Sequence, residues 1–160
     1  MEEIKFIPIG TIHSPFDTIE GMPIQPTGAE GIRGRIEIKP DYIEGLKDLD
    51  GFSHIILIYH FHRSRGYSLK VVPFMDDVPR GVFATRAPKR PNAIGLSIVR
   101  LLEVEKGTLL IENVDVLDGT PLLDIKPYFP DLDHPAAGKT GWLSGKSRRA
   151  QKARSDRRFR

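Results

Sequence analysis

The chain of 160 residues contains no cysteine, so it can form neither a disulfide framework nor a zinc site built on cysteine. No apolar run approaches the roughly 20 residues that a membrane-spanning helix needs. The first residues, MEEIKFIPIG, lack the basic segment and the long apolar core of a secretory signal. These absences predict a cytoplasmic protein without a membrane partner, and the length predicts one domain with a sizeable core.

Positive charge is concentrated at the carboxyl end of the chain. The net charge is +3, but residues 146–160 hold eight Lys or Arg and one acidic residue, which leaves −4 for residues 1–145. A basic tail on an acidic body favours a polyanion, and nucleic acid is the first candidate; the alternative is a disordered, solubilising end. We therefore expect a domain over residues 1–145 and a basic, flexible tail over residues 146–160.

Apolar and polar residues alternate along most of the chain, which is the pattern of half-buried strands. Turn residues, not helical segments, separate these runs. The sequence therefore predicts an all-β fold, a closed or nearly closed β barrel with one short helix and long loops. The helix is expected at Asp41–Asp48, with Asp41 as its N-cap. Strands are expected at Lys5–His13, Ile32–Ile38, Phe52–His62, Leu69–Val72, Gly81–Thr85, Leu96–Val104, Thr108–Val116 and Leu122–Ile125.

The predicted strand Phe52–His62 is apolar on both alternating faces, which predicts a central strand covered on both sides. His54, His60 and His62 share one of these faces. No third ligand stands at matching spacing and arginines follow, so a structural role, or a place at the edge of a ligand, is favoured over a metal site. We expect His62, at the strand end, to face a cleft.

The segment 81–97, GVFATRAPKRPNAIGLS, is the strongest functional candidate. Arg86, Lys89 and Arg90 crowd around two prolines, and the uncharged amide of Asn92 follows closely. Like charges at this spacing repel each other, so the loop gains from an anionic partner. We interpret it as a ligand-binding loop between two strands.

A second candidate is the Asp-Gly turn within DVLDGTPLLDIKPY, residues 115–128. The plain interpretation is a turn that joins two strands. However, Asp118, Gly119 and Thr120 bring a carboxylate, an open backbone and a hydroxyl together in one small turn. Such groups can bind a ribose or an adenine edge, while an arginine of the first candidate segment holds a carboxylate or phosphate.

Four motifs, in this order, make the chain resemble the TsaA/TrmO family: IG-x-I-x-SPF, FSH-x-x-x-x-x-x-FH, GVFATR-x-P-x-RPN-x-IGLS and DGTP-x-LDIKPY. The resemblance covers about residues 5–143. It implies a β barrel that uses S-adenosylmethionine (SAM) and no metal. The implied reaction is methylation of N6 of the threonylcarbamoylated adenosine beside the anticodon of tRNA, by a homodimer with a composite site.

The resemblance also implies roles for individual residues. SAM is expected to contact Gln25, Pro26, His62, Arg63, Arg86, Leu96, Asp118, Gly119, Thr120 and Pro121. Apart from the resemblance, the chemistry of the N6 amine leads us to expect that Asn92 or Asp118 accepts its hydrogen. RNA is expected to contact Lys89 and Arg90, and the positive charge of the tail predicts phosphate contacts for Arg148 and Arg149. Ala93 and Lys89 depart from the family pattern, which commonly has proline and an aromatic residue there. Two alternatives stay open: an RNA-binding barrel without catalysis, and a SAM-dependent enzyme with another acceptor.

Overall fold

Eight strands are present in the structure, a computed structural model that describes residues 1–146, 152–156 and 158. The strands are β1 (Gly10–His13), β2 (Arg33–Ile38), β3 (His54–His60), β4 (Lys70–Val71), β5 (Arg80–Gly81), β6 (Ile94–Glu105), β7 (Thr108–Glu112) and β8 (Thr120–Pro127). Six of them close into a barrel in the order β1-β2-β7-β6-β3-β8, with every neighbouring pair antiparallel. Strands β4 and β5 form a separate two-stranded sheet. The predicted all-β barrel is confirmed.

The barrel interior is filled by the inward-facing half of each strand, as the period-two pattern predicts. Among the described residues, seven Ile or Leu side chains there are at most 1% exposed: Ile12, Ile36, Ile55, Leu57, Leu109, Ile111 and Leu122. Each such burial contributes roughly 1.5–3 kcal/mol relative to an exposed position. The turn between β6 and β7 is a tight hairpin in which Lys106 and Gly107 both have positive φ, 47° and 84°.

The strand predicted at Gly81–Thr85 is wrong beyond its first residue. Val82–Ala84 forms a 3₁₀ turn, which the Thr85 hydroxyl closes by donating to the Val82 carbonyl at 2.8 Å. The apolar pattern predicted a strand because Val82 is buried. It is buried in a small cluster with Val71 and Ala87, apart from the barrel core, and not in a sheet. Residues 82–93 therefore form a loop that leads from a 3₁₀ turn into β6.

The helix predicted at Asp41–Asp48 is a 3₁₀ helix at Pro40–Leu46, and no side chain caps it. Lys39, not Asp41, occupies the N-cap position. None of its residues is fully buried, so packing does not enforce a regular α-helix. A four-residue α-helix, α1 (Pro130–Asp133), is the short helix of the fold. Within the described ranges, no helix has the length and apolar character to cross a membrane.

Strand β3 is covered on its inner face only. Ile55, Leu57 and Tyr59 are buried inside the barrel, whereas Ile56 and Ile58 on the outer face are only half-buried. The prediction of cover on both sides is therefore not met within a single chain. The outer face of β3 is continuous with an exposed apolar part of β6.

The described part of the carboxyl-terminal tail lies along the segment between β1 and β2. Gly21 N donates to Ser155 O and Ser155 N donates to Met22 O, both at 2.8 Å. Arg158 Nη1 donates to Pro73 O at 2.6 Å. The division of the chain at residue 145 and the flexibility of the tail stay predictions.

Candidate active site

One end of the barrel opens into a cavity of about 1220 Å³. Its walls come from the end of β3, the starts of β6 and β8, and the segments 14–32 and 82–93. The carboxyl-terminal part of the chain contributes a further wall, formed by Trp142, Leu143 and Ser155. Small-molecule sites usually measure roughly 300–1,000 Å³, so the cavity has room for a nucleoside cofactor and part of a second substrate.

Arginines dominate the charge of the cavity. Arg63, Arg65, Arg86 and Arg90 line it, and Asp115 is the single carboxylate among its described lining residues. Arg90 donates to the carbonyls of Thr85 and Ala87 at 3.0 and 3.2 Å, so this guanidinium holds the shape of its own loop. This excess of positive charge favours a carboxylate or phosphate in the cavity.

His62 lies just beyond the end of β3 and lines the cavity, whereas His54 and His60 lie on the outer face of the strand. Partial burial and the charges of Arg63 and His60 hold the pKa of His62 below its usual value. His62 therefore presents a neutral imidazole at neutral pH. Across the described part of the chain, no three His, Asp or Glu side chains are grouped as a metal site.

A chain of buried polar side chains lies at the inner wall of the cavity, which two of its members, Tyr59 and Asp115, line. Ser97 Oγ donates to Asp115 Oδ1 at 2.7 Å, and the Tyr59 hydroxyl lies 2.9 Å from Ser97 Oγ. Because the serine proton is directed at Asp115, the tyrosine is the donor in the second bond. Burial raises the pKa of Asp115 to about 7, against the opposing effects of Ser97 and Arg86. Burial, and then Asp115, also raise the pKa of Tyr59 above its usual range.

Sequence reasoning missed this polar chain. Tyr59 and Ser97 lie at inward-facing positions of β3 and β6, so the sequence pattern assigns them to the core without a special role. Asp115 lies shortly before a predicted turn, and the pattern gives it no role either. The available signal was Ser97 itself, a serine at an inward-facing position of a long apolar strand. A buried hydroxyl needs a hydrogen-bond partner, so this residue predicts a second polar group nearby.

The Asp118–Pro121 turn borders the cavity through one residue. Thr120 lines the cavity and donates to Leu117 O at 2.6 Å. Asp118 lies outside the lining, where its Oδ1 accepts a 3.1 Å bond from Ser14 N and lies 3.1 Å from His13 Nδ1. Partial desolvation raises the pKa of Asp118, but these two partners outweigh it and hold that pKa below its usual value. Asp118 is thus an ionised group engaged with β1.

The structure brings most of the predicted residues together. Those that line the cavity are Gln25, His62, Arg63, Arg86, Arg90, Asn92, Leu96 and Thr120. Asp118, Gly119, Pro121 and Lys89 are not part of the lining, and Pro26 begins a 3₁₀ helix directly after Gln25. Arg148 and Arg149 fall outside the described residues.

The match to a known family decides the identity of this barrel. The model of the tRNA-methyltransferase O N-terminal domain matches residues 11–134. The chain belongs to the TrmO family. The matched range includes all of the cavity walls except those from residues 142, 143 and 155.

Three relatives show how this TrmO chain compares. A probable S-adenosyl-L-methionine-binding protein of Pyrococcus abyssi is 53% identical over 98% of this chain and 85% of its own length. The human tRNA (adenine(37)-N6)-methyltransferase is 38% identical over 80% of this chain, but over 31% of its own length. The crystal structure of TrmO from Pseudomonas aeruginosa matches with a TM-score of 0.74 at 40% identity, over 88% of this chain and 63% of that one. The chain thus spans less than two thirds of the latter two proteins.

Proposed function

We propose that this protein transfers the methyl group of SAM to N6 of an adenine in tRNA. The observation that carries the proposal is the TrmO domain match, because residues 11–134 supply nearly the whole cavity. Relatives named as tRNA (adenine(37)-N6)-methyltransferases and as SAM-binding proteins align over most of this chain. The size and the cationic lining of the cavity support the same function.

SAM carries a carboxylate at one end and a nucleoside at the other, and the cavity offers partners for both. Arg86 lines the cavity and has no hydrogen bond or ion pair to another described residue, although its charge lowers the pKa of Asp115, so its guanidinium can hold the methionine carboxylate. Gln25 and Thr120 supply polar groups for the nucleoside, and Phe61, Leu117 and other apolar lining residues supply its packing surface.

Methyl transfer needs little charge stabilisation because the sulfonium is already activated. Positive charge moves from sulfur to nitrogen, so a cation beside the methyl group would oppose the reaction. The protein therefore contributes proximity and a straight line of nitrogen, methyl carbon and sulfur. The arginines belong at the anionic groups of the two substrates.

The target base must be unpaired and turned outward, and a tRNA anticodon loop meets that requirement. We include a threonylcarbamoyl group on the target adenosine in the proposal. Its carboxylate gives the cationic cavity a second anionic group to bind. Lys89, Arg148 and Arg149 are proposed to contact RNA phosphates, in the cytoplasm where tRNA is modified.

A homodimer is part of the proposal. Five aliphatic residues form an outer patch on the outside of the barrel, with Ile58 paired to Leu96 and Ile56 paired to Ile98: Ile56, Ile58, Ile94, Leu96 and Ile98. Leu96 is 50% exposed and Ile94 is 38% exposed, and both also line the cavity. A second copy placed on the outer patch would therefore border the cavity as well, which makes the site composite.

Calorimetry with SAM, followed by transfer of a tritiated methyl group to tRNA, tests the proposal. We expect SAM binding and incorporation into tRNA that carries threonylcarbamoyl, and much less incorporation into tRNA without it. Equal incorporation into both tRNAs contradicts the requirement for the group. SAM binding without transfer to tRNA indicates another acceptor, and the absence of SAM binding favours the RNA-binding barrel.

A further inference from the structure

Asp115 occupies an unusual place for a carboxylate. It follows β7 at the inner wall of the cavity, is 8% exposed, and contributes to the cavity surface. Ser97 occupies only Oδ1 of this carboxylate. Two buried side chains thus support the carboxylate of a residue that lines the space where substrates would bind, which is the arrangement of a prepositioned catalytic group.

We propose that Asp115 is the proton acceptor in methyl transfer, held in place by Ser97 and Tyr59. This inference rests on the proposed function, since it names the group that removes the N6 hydrogen in that reaction. It differs from the expectation that Asn92 or Asp118 accepts this hydrogen.

The proton and electron balance of the step is complete without any additional reactant. The N6 nitrogen forms a bond to the methyl carbon while the carbon–sulfur bond breaks. The electron pair of the broken bond stays on sulfur, which becomes a neutral thioether. The N6–H bond breaks, its electron pair stays on nitrogen, and the proton passes to the Asp115 carboxylate. Asp115 then releases this proton to water when the products leave.

The other acidic and amide groups suit this role less well. Asp118 is engaged by Ser14 N and His13 and lies outside the cavity lining. Asn92 lines the cavity, but its amide oxygen accepts a hydrogen bond from N6 without taking up the proton at neutral pH. Asp115 is the carboxylate that the described cavity lining provides.

The groups around Asp115 set its pKa to a value that suits a proton acceptor. Tyr59 from β3 and Arg86 from the segment 82–93 are the ionisable groups that face it, and β6 presents the uncharged Ser97. Burial raises the pKa of Asp115 to about 7, and Ser97 and Arg86 limit that rise. A proton acceptor works best when its pKa lies near the working pH. A substantial fraction of the group is then ionised and able to accept, and the ionised group still binds the proton strongly enough to remove it from N6.

Asp115→Asn and Ser97→Ala test the proposal, with Asp41→Asn as the control on the 3₁₀ helix away from the cavity. Asp115→Asn keeps an oxygen to accept the Ser97 hydrogen bond but cannot take up a proton. Ser97→Ala keeps the carboxylate but removes a bond that lowers the pKa of Asp115. Single-turnover methyl transfer at saturating SAM is measured across pH for each variant, and SAM affinity is measured by calorimetry.

We expect the wild-type rate to fall below a pH near 7, where Asp115 becomes protonated. Asp115→Asn should lose about 100-fold or more in rate with SAM affinity nearly unchanged. Ser97→Ala should move the acid limb to higher pH, and Asp41→Asn should behave as the wild type.

The inference is overturned, with the proposed function intact, if Asp115→Asn stays within about threefold of the wild-type rate. It is also overturned if Ser97→Ala leaves the acid limb in place, and this result decides the matter even if Asp115→Asn does not fold. A wild-type protein that binds SAM but never methylates tRNA overturns the proposed function, and the inference with it.

Discussion

Gly95 lies directly opposite Tyr59 in the β3–β6 pair, and the space left by its missing side chain is filled by the tyrosine ring. A Cβ at Gly95 would collide with the ring of Tyr59 and with that of Phe61. These two rings meet edge to face, with centroids 5.5 Å apart. The glycine therefore positions both the buried polar chain and an apolar wall of the cavity.

Gly95→Ala is expected to lower the free energy of unfolding by about 1–3 kcal/mol, the usual cost of overpacking. It should also weaken SAM binding, because the added methyl group would push the Tyr59 ring, which lines the cavity, into the space proposed for SAM. Urea unfolding and calorimetry measure the two effects. Gly51→Ala is the matched control, since nothing lies near its added Cβ. Equal stability of both variants contradicts the packing described for Gly95.

Asp115 should make the protein less stable as the pH rises. Its pKa is raised in the folded state, from 3.8 to about 7, so the folded chain binds its proton more tightly than the unfolded chain. The stabilisation is complete below about pH 4 and is lost as the pH rises through 7. At about 1.36 kcal/mol per pKa unit, the loss is roughly 4 kcal/mol.

Unfolding by urea at several pH values measures this dependence, and Asp115→Asn should flatten it. The variant should also be more stable than the wild type at mildly alkaline pH, because it carries no buried charge there. A wild type and a variant with parallel pH dependence would show that Asp115 does not titrate in this range.

Arg86→Gln should weaken SAM binding by about 10-fold to 100-fold, which corresponds to the loss of a charge-assisted hydrogen bond of roughly 1.5–3 kcal/mol. Arg100→Gln is the control, since Arg100 pairs with Glu112 outside the cavity. Calorimetry with SAM compares the two. Similar affinities for both variants would mean that Arg86 does not hold the carboxylate of SAM.

Leu96→Glu should dissociate the proposed homodimer, because it places a charge in the outer patch. Leu110→Glu is a matched control, since Leu110 is 41% exposed on β7, away from the outer patch. Sedimentation velocity measures the mass of each variant. The dimer assignment fails if the wild type sediments as a monomer at concentrations where it is active.

Replacing Arg148 and Arg149 with glutamine should weaken tRNA binding and reduce its salt dependence. Each lost phosphate contact lowers the slope of log affinity against log salt by about 0.7–0.9. SAM affinity should not change. A loss of SAM binding in this variant would mean that the tail supports the cavity and does not act through RNA.

The barrel could be predicted because alternation along single strands determines which side chains are buried. The strand predicted at Gly81–Thr85 failed because burial of Val82 in a satellite cluster produces the same local pattern. The position of Asp118 could not be predicted, since the direction of a turn side chain depends on His13 and Ser14, more than a hundred residues away.

The buried polar chain of the cavity was missed for a related reason. Tyr59, Ser97 and Asp115 come from three separate segments. The register of β3 on β6 brings Tyr59 and Ser97 together, and the connection between β7 and β8 places Asp115 beside Ser97. The family motifs indicated the cationic loop and the turn. They did not indicate which acidic residue lines the cavity.

Mass spectrometry of nucleosides from tRNA, after incubation with this protein and SAM bearing a deuterated methyl group, tests the central proposal most directly. We expect one labelled nucleoside, an adenosine methylated at N6 that carries threonylcarbamoyl, from the position beside the anticodon. Label on another nucleoside, or no label in tRNA while SAM binds, would contradict the proposed function.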